Sequence, residues 1–330
     1  MTRTRSAAGA AAALLASIAL AACGGGDDES SGENGSESSS DGGLTTVRVG
    51  ETNGIPSAFL EFALAQGFFE DQGIDLQLDT SAGGAAAIPG MLSGDLDITG
   101  GNSVSALLAA YQGLPITLIA PGTFGTDDPD SDFSAVLVPA DSDIESAADL
   151  PGHSVSVNTL QNVGDITISE ATRNAGGDPD GIEYTELGFP DMLPALDSGN
   201  IDAAWVIEPF ATIGIQNGDR VVAYPYAESY PNLQIGVFQT TTEYAESNPE
   251  IIEAFRAALD ATVEAVQADP DAFRDELAAS AGIDPEVAAE MVLPVYGHEI
   301  DTESLEFYNE RMLDEGFIDE AVDIDALVLP

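Results

Sequence analysis

Lysine is missing from this chain altogether. Its eight basic residues are all arginines, and they face 58 Asp and Glu for a formal net charge of −50. Without lysine there is no Schiff-base chemistry, no phosphate-loop G-x-x-x-x-G-K-[ST] motif and no kinase-type strand Lys. Nucleic acid is not an expected partner, because that binding rests on neutralising phosphates with a basic surface. Cysteine occurs once, at Cys23, so no internal disulfide and no cysteine-rich metal site can form. The two histidines, His153 and His298, stand far apart and no G-x-S-x-G is present, which leaves thin material for nucleophilic catalysis. Beyond the N-terminal segment no stretch reaches the ~18 apolar residues of a membrane-spanning helix. What is there is a chain of 330 residues, 44% of them hydrophobic, long enough to bury a sizeable core.

The N-terminal segment carries an export address. Arg3 and Arg5 supply a positive start, and Ala7 to Ala22 is an apolar run of small residues. Leu20-Ala21-Ala22-Cys23 resembles a bacterial lipobox, which makes residues 1–22 a lipoprotein signal peptide and Cys23 the lipidation site. Two acyl chains on Cys23 would anchor the protein stably to the membrane on its extracytoplasmic face. Residues 23–46, rich in Gly, Ser, Asp and Glu without periodicity, read as a flexible acidic tether spanning roughly 25–30 Å. The acidic residues are scattered over every segment. They suit either a cationic partner or a surface adapted to high salt, and their even spread favours the halophilic surface.

From Val47 onward short β-type runs alternate with helical ones, the pattern of an α/β fold. Strands are expected at Thr46–Gly50, Ile74–Leu78, Leu96–Ile98 and Ile116–Ala120, with helices between them. After the acidic loop Gly125–Asp132 a second series begins at Ala135–Val138 and runs through Ser154–Val157, Ile182–Thr185 and Ala203–Val206. The region after Pro249 is nearly all helix, with Pro249, Pro270 and Pro285 at first helical turns. The two series share a phrase: Ser93-Gly94-Asp95-Leu96-Asp97 returns 105 residues later as Ser198-Gly199-Asn200-Ile201-Asp202. Two similar α/β lobes facing one another would make a cleft at the carboxyl ends of their strands.

These phrases carry a family resemblance. Gly67-Phe68-Phe69-Glu70-Asp71-Gln72-Gly73-Ile74-Asp75-Leu76, Ser93 to Asp97, Gly113-Leu114-Pro115-Ile116, Ala148 to Val155 and Trp205-Val206-Ile207-Glu208-Pro209 occur in the order found in one family. It is the family of nitrate/sulfonate/taurine and thiamine-pyrimidine (NMT1/THI5-like) solute-binding proteins. The resemblance covers Val47 to Ser247. It implies a two-lobe type II periplasmic-binding-protein fold with a helical C-terminal region. Residues 47–128 plus 230–330 would form lobe I and residues 129–229 lobe II. It also implies an ABC importer, with permease and ATPase subunits as partners and a monomeric receptor.

Loops at strand ends supply the candidate ligand-binding residues: Asn53 and Gly54; Ser81, Gly83 and Gly84; Asn102 and Ser103; Asn158, Thr159 and Gln161; Trp205 and Glu208. Glycines let backbone approach a ligand and helix N-termini offer free N–H groups, although Ser and Asn are also ordinary helix caps. Asn102-Ser103 and Asn158-Thr159 form the leading pair, one from each lobe. Trp205 is a stacking platform or a core residue, and Glu208 accepts a ligand N–H or braces a hinge. The acidic run Asp127–Asp132 has Ca²⁺-compatible oxygens but lacks the Gly and terminal Glu of an EF-hand loop, so it reads as a hydrated loop. No metal, cofactor or catalytic group is expected.

None of the six arginines after the signal segment falls in a cleft loop, so no bidentate clamp for an anion is evident. With Phe124, Tyr184, Phe189 and Trp205 nearby, this favours a neutral or weakly basic heterocycle such as a thiamine-type pyrimidine; sulfonate, taurine and nitrate are the alternatives implied by the resemblance. The expected function is an extracytoplasmic solute-binding component of an ABC importer. The alternatives are a THI5-like pyrimidine-synthesis enzyme, which the export signal and the lack of a cleft histidine disfavour, and a surface sensory or adhesion module.

Overall fold

The computed structural model describes residues 43–52, 54–80, 84–280 and 282–330. The lipobox with Cys23, and the loop candidates Asn53, Ser81 and Gly83, lie outside the described residues. Twelve strands are present among those described: β1 Thr45–Gly50, β2 Ile74–Asp79, β3 Ile98–Asn102, β4 Ile116–Pro121, β5 Thr123–Phe124, β6 Ser134–Val138, β7 Ser154–Val157, β8 Glu183–Glu186, β9 Ala203–Ile207, β10 Arg220–Ala223, β11 Gly236–Thr241 and β12 Val295–Tyr296.

They build two five-stranded sheets and a two-stranded ribbon. The first sheet runs β2-β1-β3-β11-β4 and the second β8-β7-β9-β6-β10, while β5 pairs with β12. In each large sheet the first three strands are parallel and the next one is antiparallel, contributed by chain that has come from the other sheet. The two series are therefore not purely parallel, as simple alternation of strand and helix suggests. The chain leaves the first sheet after β4 and returns to it at β11, so the two lobes are joined at two crossings.

The repeated phrase does the same work in both lobes. Gly94 and Gly199 take φ of +80° and +69°, the left-handed values that end a helix without a side-chain clash. Three residues on, Asp97 and Asp202 each stand just before the third strand of their sheet. Asp97 Oδ2 accepts the Arg48 backbone N–H of β1 at 2.8 Å, and the Asp97 N–H donates to the Arg48 carbonyl at 2.8 Å. Asp202 Oδ2 accepts the Ser154 N–H of β7 at 2.8 Å and its own N–H donates to the Ser154 carbonyl at 3.0 Å. One carboxylate thus fixes the register of each parallel pair.

The expected helices form, with proline opening Pro249–Ala268, Pro270–Ser280 and Pro285–Glu290. The first sheet packs its Val47, Val49 and Ile98 against Phe59 and Phe62 of helix Ile55–Gln66, and against Phe255, Leu259, Phe273 and Leu277 of the C-terminal helices. Lobe II packs Leu137 and Val206 on Met192, Leu193 and Leu196 of helix Phe189–Asp197. Helix Thr302–Asp314 ties the lobes together. Its Arg311 pairs with Glu170 of helix Val163–Asn174 at 3.3 Å, and Glu315 receives Arg173.

Candidate functional site

The carboxyl ends of the two sheets meet around a cavity of about 80 Å³, several times the ~10–15 Å³ one water needs. From lobe I come Glu51 and Thr52 at the end of β1, Phe59 of the following helix, Gly101 and Asn102 of β3, and Tyr296 of β12. From lobe II come Phe133, Asn158, Phe189, Trp205 and Tyr226. The first sheet also supplies Gly236 and Phe238 of β11, and Gly122 comes from the link between β4 and β5. Backbones come together closely here. The Gly122 N–H donates to the Gly236 carbonyl at 2.8 Å, and a Cβ on Gly236 would stand 2.7 Å from the Thr123 nitrogen.

Seven aromatic residues stand in the wall. Phe59 and Tyr296 stack at 4.1 Å on the lobe I side. Trp205 holds Phe189 at 5.7 Å and Tyr226 at 6.1 Å, and Tyr226 meets Phe133 at 5.0 Å. Within this wall several buried polar atoms have no hydrogen-bond partner among the described residues: the Asn158 Oδ1, the Trp205 Nε1 and the Tyr296 hydroxyl. Native interiors pair nearly all such atoms, and a cluster of unpaired ones around one cavity marks where a ligand's own polar groups belong.

Glu51 is the charged-type residue of this wall. It is 4% exposed, and among the described residues only Thr52 donates to it, the Thr52 N–H reaching Oε1 at 2.6 Å. A Cβ on residue 100 would fall 1.6 Å from Oε2, so glycine at that position is what leaves the carboxyl room. Burial pushes its pKa from 4.5 to about 8, with the Thr52 bonds opposing. Burial also holds the neighbouring Tyr296 hydroxyl well above its ordinary value, with Glu51 adding to the effect.

Sequence reasoning and geometry agree on part of this wall. Asn102, Asn158 and Trp205 line the cavity, Asn102 and Asn158 from opposite lobes. Asn102 also caps helix Ser103–Tyr111 through the Ser105 N–H at 2.9 Å. Trp205 is at once core, 1% exposed, and wall. The other described candidates stand outside the lining. Gly54 opens helix Ile55–Gln66 in mutual hydrogen bonds with Ser57, at 3.2 and 3.1 Å. Gly84 lies behind Gly101, whose Cβ would come 2.8 Å from its Cα. Ser103 bonds the Gln234 and Ile235 carbonyls at 3.2 Å each. Thr159 is half-buried and Gln161 exposed. The Glu208 carboxylate is engaged by the Thr212 N–H and hydroxyl at 3.1 and 2.8 Å and by the Val292 N–H at 3.1 Å, which makes it a brace.

Two of the aromatics named from sequence also sit elsewhere. Tyr184 bonds Ser169 and the Asp165 carbonyl at 3.1 and 3.2 Å, and Phe124 packs over Gly297. Sequence reasoning missed Glu51, Phe59, Phe133, Tyr226 and Tyr296. Glu51 had a usable signal: a carboxylate directly at the end of an apolar strand and before the Asn53-Gly54 loop. Tyr296 had none, since it comes from a two-residue strand far along the chain.

The acidic run closes on itself. Asp132 Oδ1 accepts the Ser134 N–H at 2.8 Å and its Oδ2 the Ala227 N–H at 2.9 Å, latching one crossing to the other. Among the described residues no group of three or more His, Cys, Asp or Glu could hold a metal ion, and no helix is long and apolar enough to cross a membrane. All six arginines there are occupied away from the cavity: Arg48 by Asp97, Arg173 and Arg311 by Glu170, Arg220 by the Ser142 and Ile144 carbonyls, Arg256 by the Leu329 and Pro330 carbonyls, Arg274 by those of Ala288 and Met291.

Known proteins share this plan. A formylaminopyrimidine-binding protein of Halalkalibacterium halodurans is 24% identical over 205 residues, 61% of this chain and 60% of that protein. A taurine-binding periplasmic protein of Escherichia coli is 24% identical over 196 residues, 59% of this chain and 58% of that one. The chain thus spans about three fifths of the length of these curated relatives. The alkanesulfonate-binding protein of Xanthomonas axonopodis pv. citri, solved with MOPS bound, superposes with a TM-score of 0.73 at 15% identity, over 87% of this chain and 99% of that one. That likeness shows the two-lobe periplasmic-binding-protein fold. The family model described as NMT1/THI5 like matches residues 57–273, well over half of the chain, and this protein belongs to that family.

Proposed function

We propose that this protein is the extracytoplasmic solute-binding component of an ABC importer, holding one compact solute between its lobes and delivering it to a permease and its ATPase. The observation that carries the reading is the aromatic-lined cavity at the meeting of the two sheets, with lining residues of both lobes carrying buried polar atoms that have no partner among the described residues. Its relatives bind a formylaminopyrimidine and taurine, so both solute chemistries are open to the fold. The wall favours one of them. It offers no arginine and one buried carboxyl, a poor host for a sulfonate or nitrate and a good one for a flat nitrogen heterocycle of the thiamine-pyrimidine kind. Asn102, Asn158 and Trp205 are the ligand contacts taken over from the sequence, joined by Glu51 and Tyr296.

The remaining parts of the proposal rest on sequence. Residues 1–22 direct export, Cys23 takes the lipid, and residues 23–46 tether a monomeric receptor made of lobe I, 47–128 plus 230–330, and lobe II, 129–229. The evenly acidic surface fits a saline medium. The binding-protein relatives support a receptor, and the two histidines are placed outside the cavity lining, His153 beside Asp202 and His298 beside Asp260.

A thermal-shift screen in molar NaCl tests the solute-binding role. An aminopyrimidine is expected to raise the melting temperature more than taurine, ethanesulfonate or nitrate at equal concentration. No stabilisation by any small solute overturns the receptor reading. Radiolabelled palmitate entering the wild-type chain but not Cys23→Ser tests the anchor.

A further inference from the structure

Resting on that reading, we propose that the solute is bound as a cation, its positively charged nitrogen seated against Glu51 and enclosed by the aromatic wall. Three observations converge on it. The first is the carboxyl itself, placed by Gly100 so that Oε2 lies over bare backbone, with Thr52 as its donor and no arginine in the cavity. A buried carboxyl without a cation is a liability that folding does not require, because paired carboxylates are what interiors tolerate.

The second is the character of the wall. Phe59 and Tyr296 stand beside Glu51, and Trp205, Tyr226 and Phe133 face them from the other lobe. Aromatic faces carry negative potential and attract an ammonium or amidinium, the more strongly where water is excluded. The third is the pattern of unpaired atoms. The Asn158 Oδ1 is an acceptor in want of a donor, as a protonated nitrogen is a donor in want of acceptors.

Proton balance follows. With no solute bound, Glu51 holds its proton at neutral pH, since burial raises its pKa to about 8. Arrival of the cation ionises the carboxyl, and the proton leaves to solvent. The other titratable group acting on Glu51 in this wall is Tyr296, whose hydroxyl stays protonated throughout. Affinity for a cation of fixed charge should therefore rise up to tenfold per pH unit below pH 8 and level off above it.

The test uses the purified full chain in detergent and molar NaCl, titrated calorimetrically with charge-matched pairs: choline against 3,3-dimethylbutanol, and benzamidine against benzamide. The expected result is that one member of the cationic set binds at least tenfold more tightly than its neutral isostere, with affinity rising from pH 6 to 8. Glu51→Gln should remove the preference and its pH dependence while circular dichroism stays unchanged, and Glu51→Asp should retain a weakened preference. Equal binding of charged and neutral partners, an unchanged preference in Glu51→Gln, or binding of ethanesulfonate in place of the cations overturns the cation assignment and leaves the receptor reading standing. Silence from every probe, neutral and anionic ones included, overturns both.

Discussion

At the level of single residues, Glu51 joins stability to function with opposite signs. Its folded pKa is about 8 against an ordinary 4.5, so between those values the native state keeps a proton that the unfolded chain has released. Stability of the ligand-free protein must then fall as pH rises from about 4.5 to 8 and stay low above it. At about 1.4 kcal/mol per pKa unit the effect at pH 8 is on the order of a few kcal/mol. Asp132 and Asp165, raised to about 6 by burial, add losses of the same sign over a lower window. The Glu51 share is isolated by comparison: Glu51→Gln should unfold at higher denaturant than wild type at pH 8 and at the same denaturant at pH 4. Equal midpoints at pH 8 contradict the assignment of a buried, unpaired carboxyl. A residue that weakens the empty fold in this way is typical of a binding site. Trp205→Phe makes a second check at this scale. It keeps most of the packing against Gly164 and deletes the unpaired N–H, so solute affinity should fall about tenfold with little change in melting temperature.

At the level of elements, the Gly-x-x-Asp phrase gives a paired prediction. Asp97→Ala removes the register bond to β1 and both guanidinium contacts of Arg48, at 3.0 and 2.6 Å, and should cost about 2–3 kcal/mol in urea melts. Asp202→Ala removes the bonds to the Ser154 N–H and hydroxyl, both 2.8 Å, in a more exposed place, and should cost about 1–2 kcal/mol. A neutral outcome at Asp97 would mean the register is fixed by apolar packing alone. This phrase also shows why the fold was legible. Helix ends need left-handed glycines, strand starts need apolar pairs, and both are local facts that sequence records. The antiparallel strand β6 was visible as a strand, yet its partner β9 was not, because pairing is a non-local property. The cavity divides the same way. Asn102, Asn158 and Trp205 follow from strand ends, whereas Phe133, Tyr226 and Tyr296 reach it only through the crossings and the β5–β12 ribbon. Sequence left Glu208 open between ligand contact and brace, because its partner, the Val292 N–H, lies 84 residues away.

For the whole molecule the deciding quantity is charge. Each arginine of the folded part is already engaged within the protein, and the chain as a whole sets 58 carboxylates against its eight arginines. Two electrostatic effects then compete when salt is added. Ion pairs such as Arg173–Glu170 and Arg311–Glu170, at 3.2 and 3.3 Å, lose strength, but they are few and partly shielded from solvent. Repulsion among carboxylates is spread over the entire surface and is screened at once, since the Debye length shrinks from about 10 Å at 0.1 M to about 3 Å at 1 M. The second effect acts between many more pairs of charges, so screening wins and salt stabilises. Each kcal/mol recovered raises the melting temperature of a domain of this size by about 2–4 °C, and a rise on the order of 10 °C between 50 mM and 2 M NaCl is expected. Scanning calorimetry across that range decides the matter. A flat curve would mean that the acidic surface costs the fold nothing and that its role lies with a cationic partner. A falling one would mean that the arginine pairs outweigh the carboxylate repulsion.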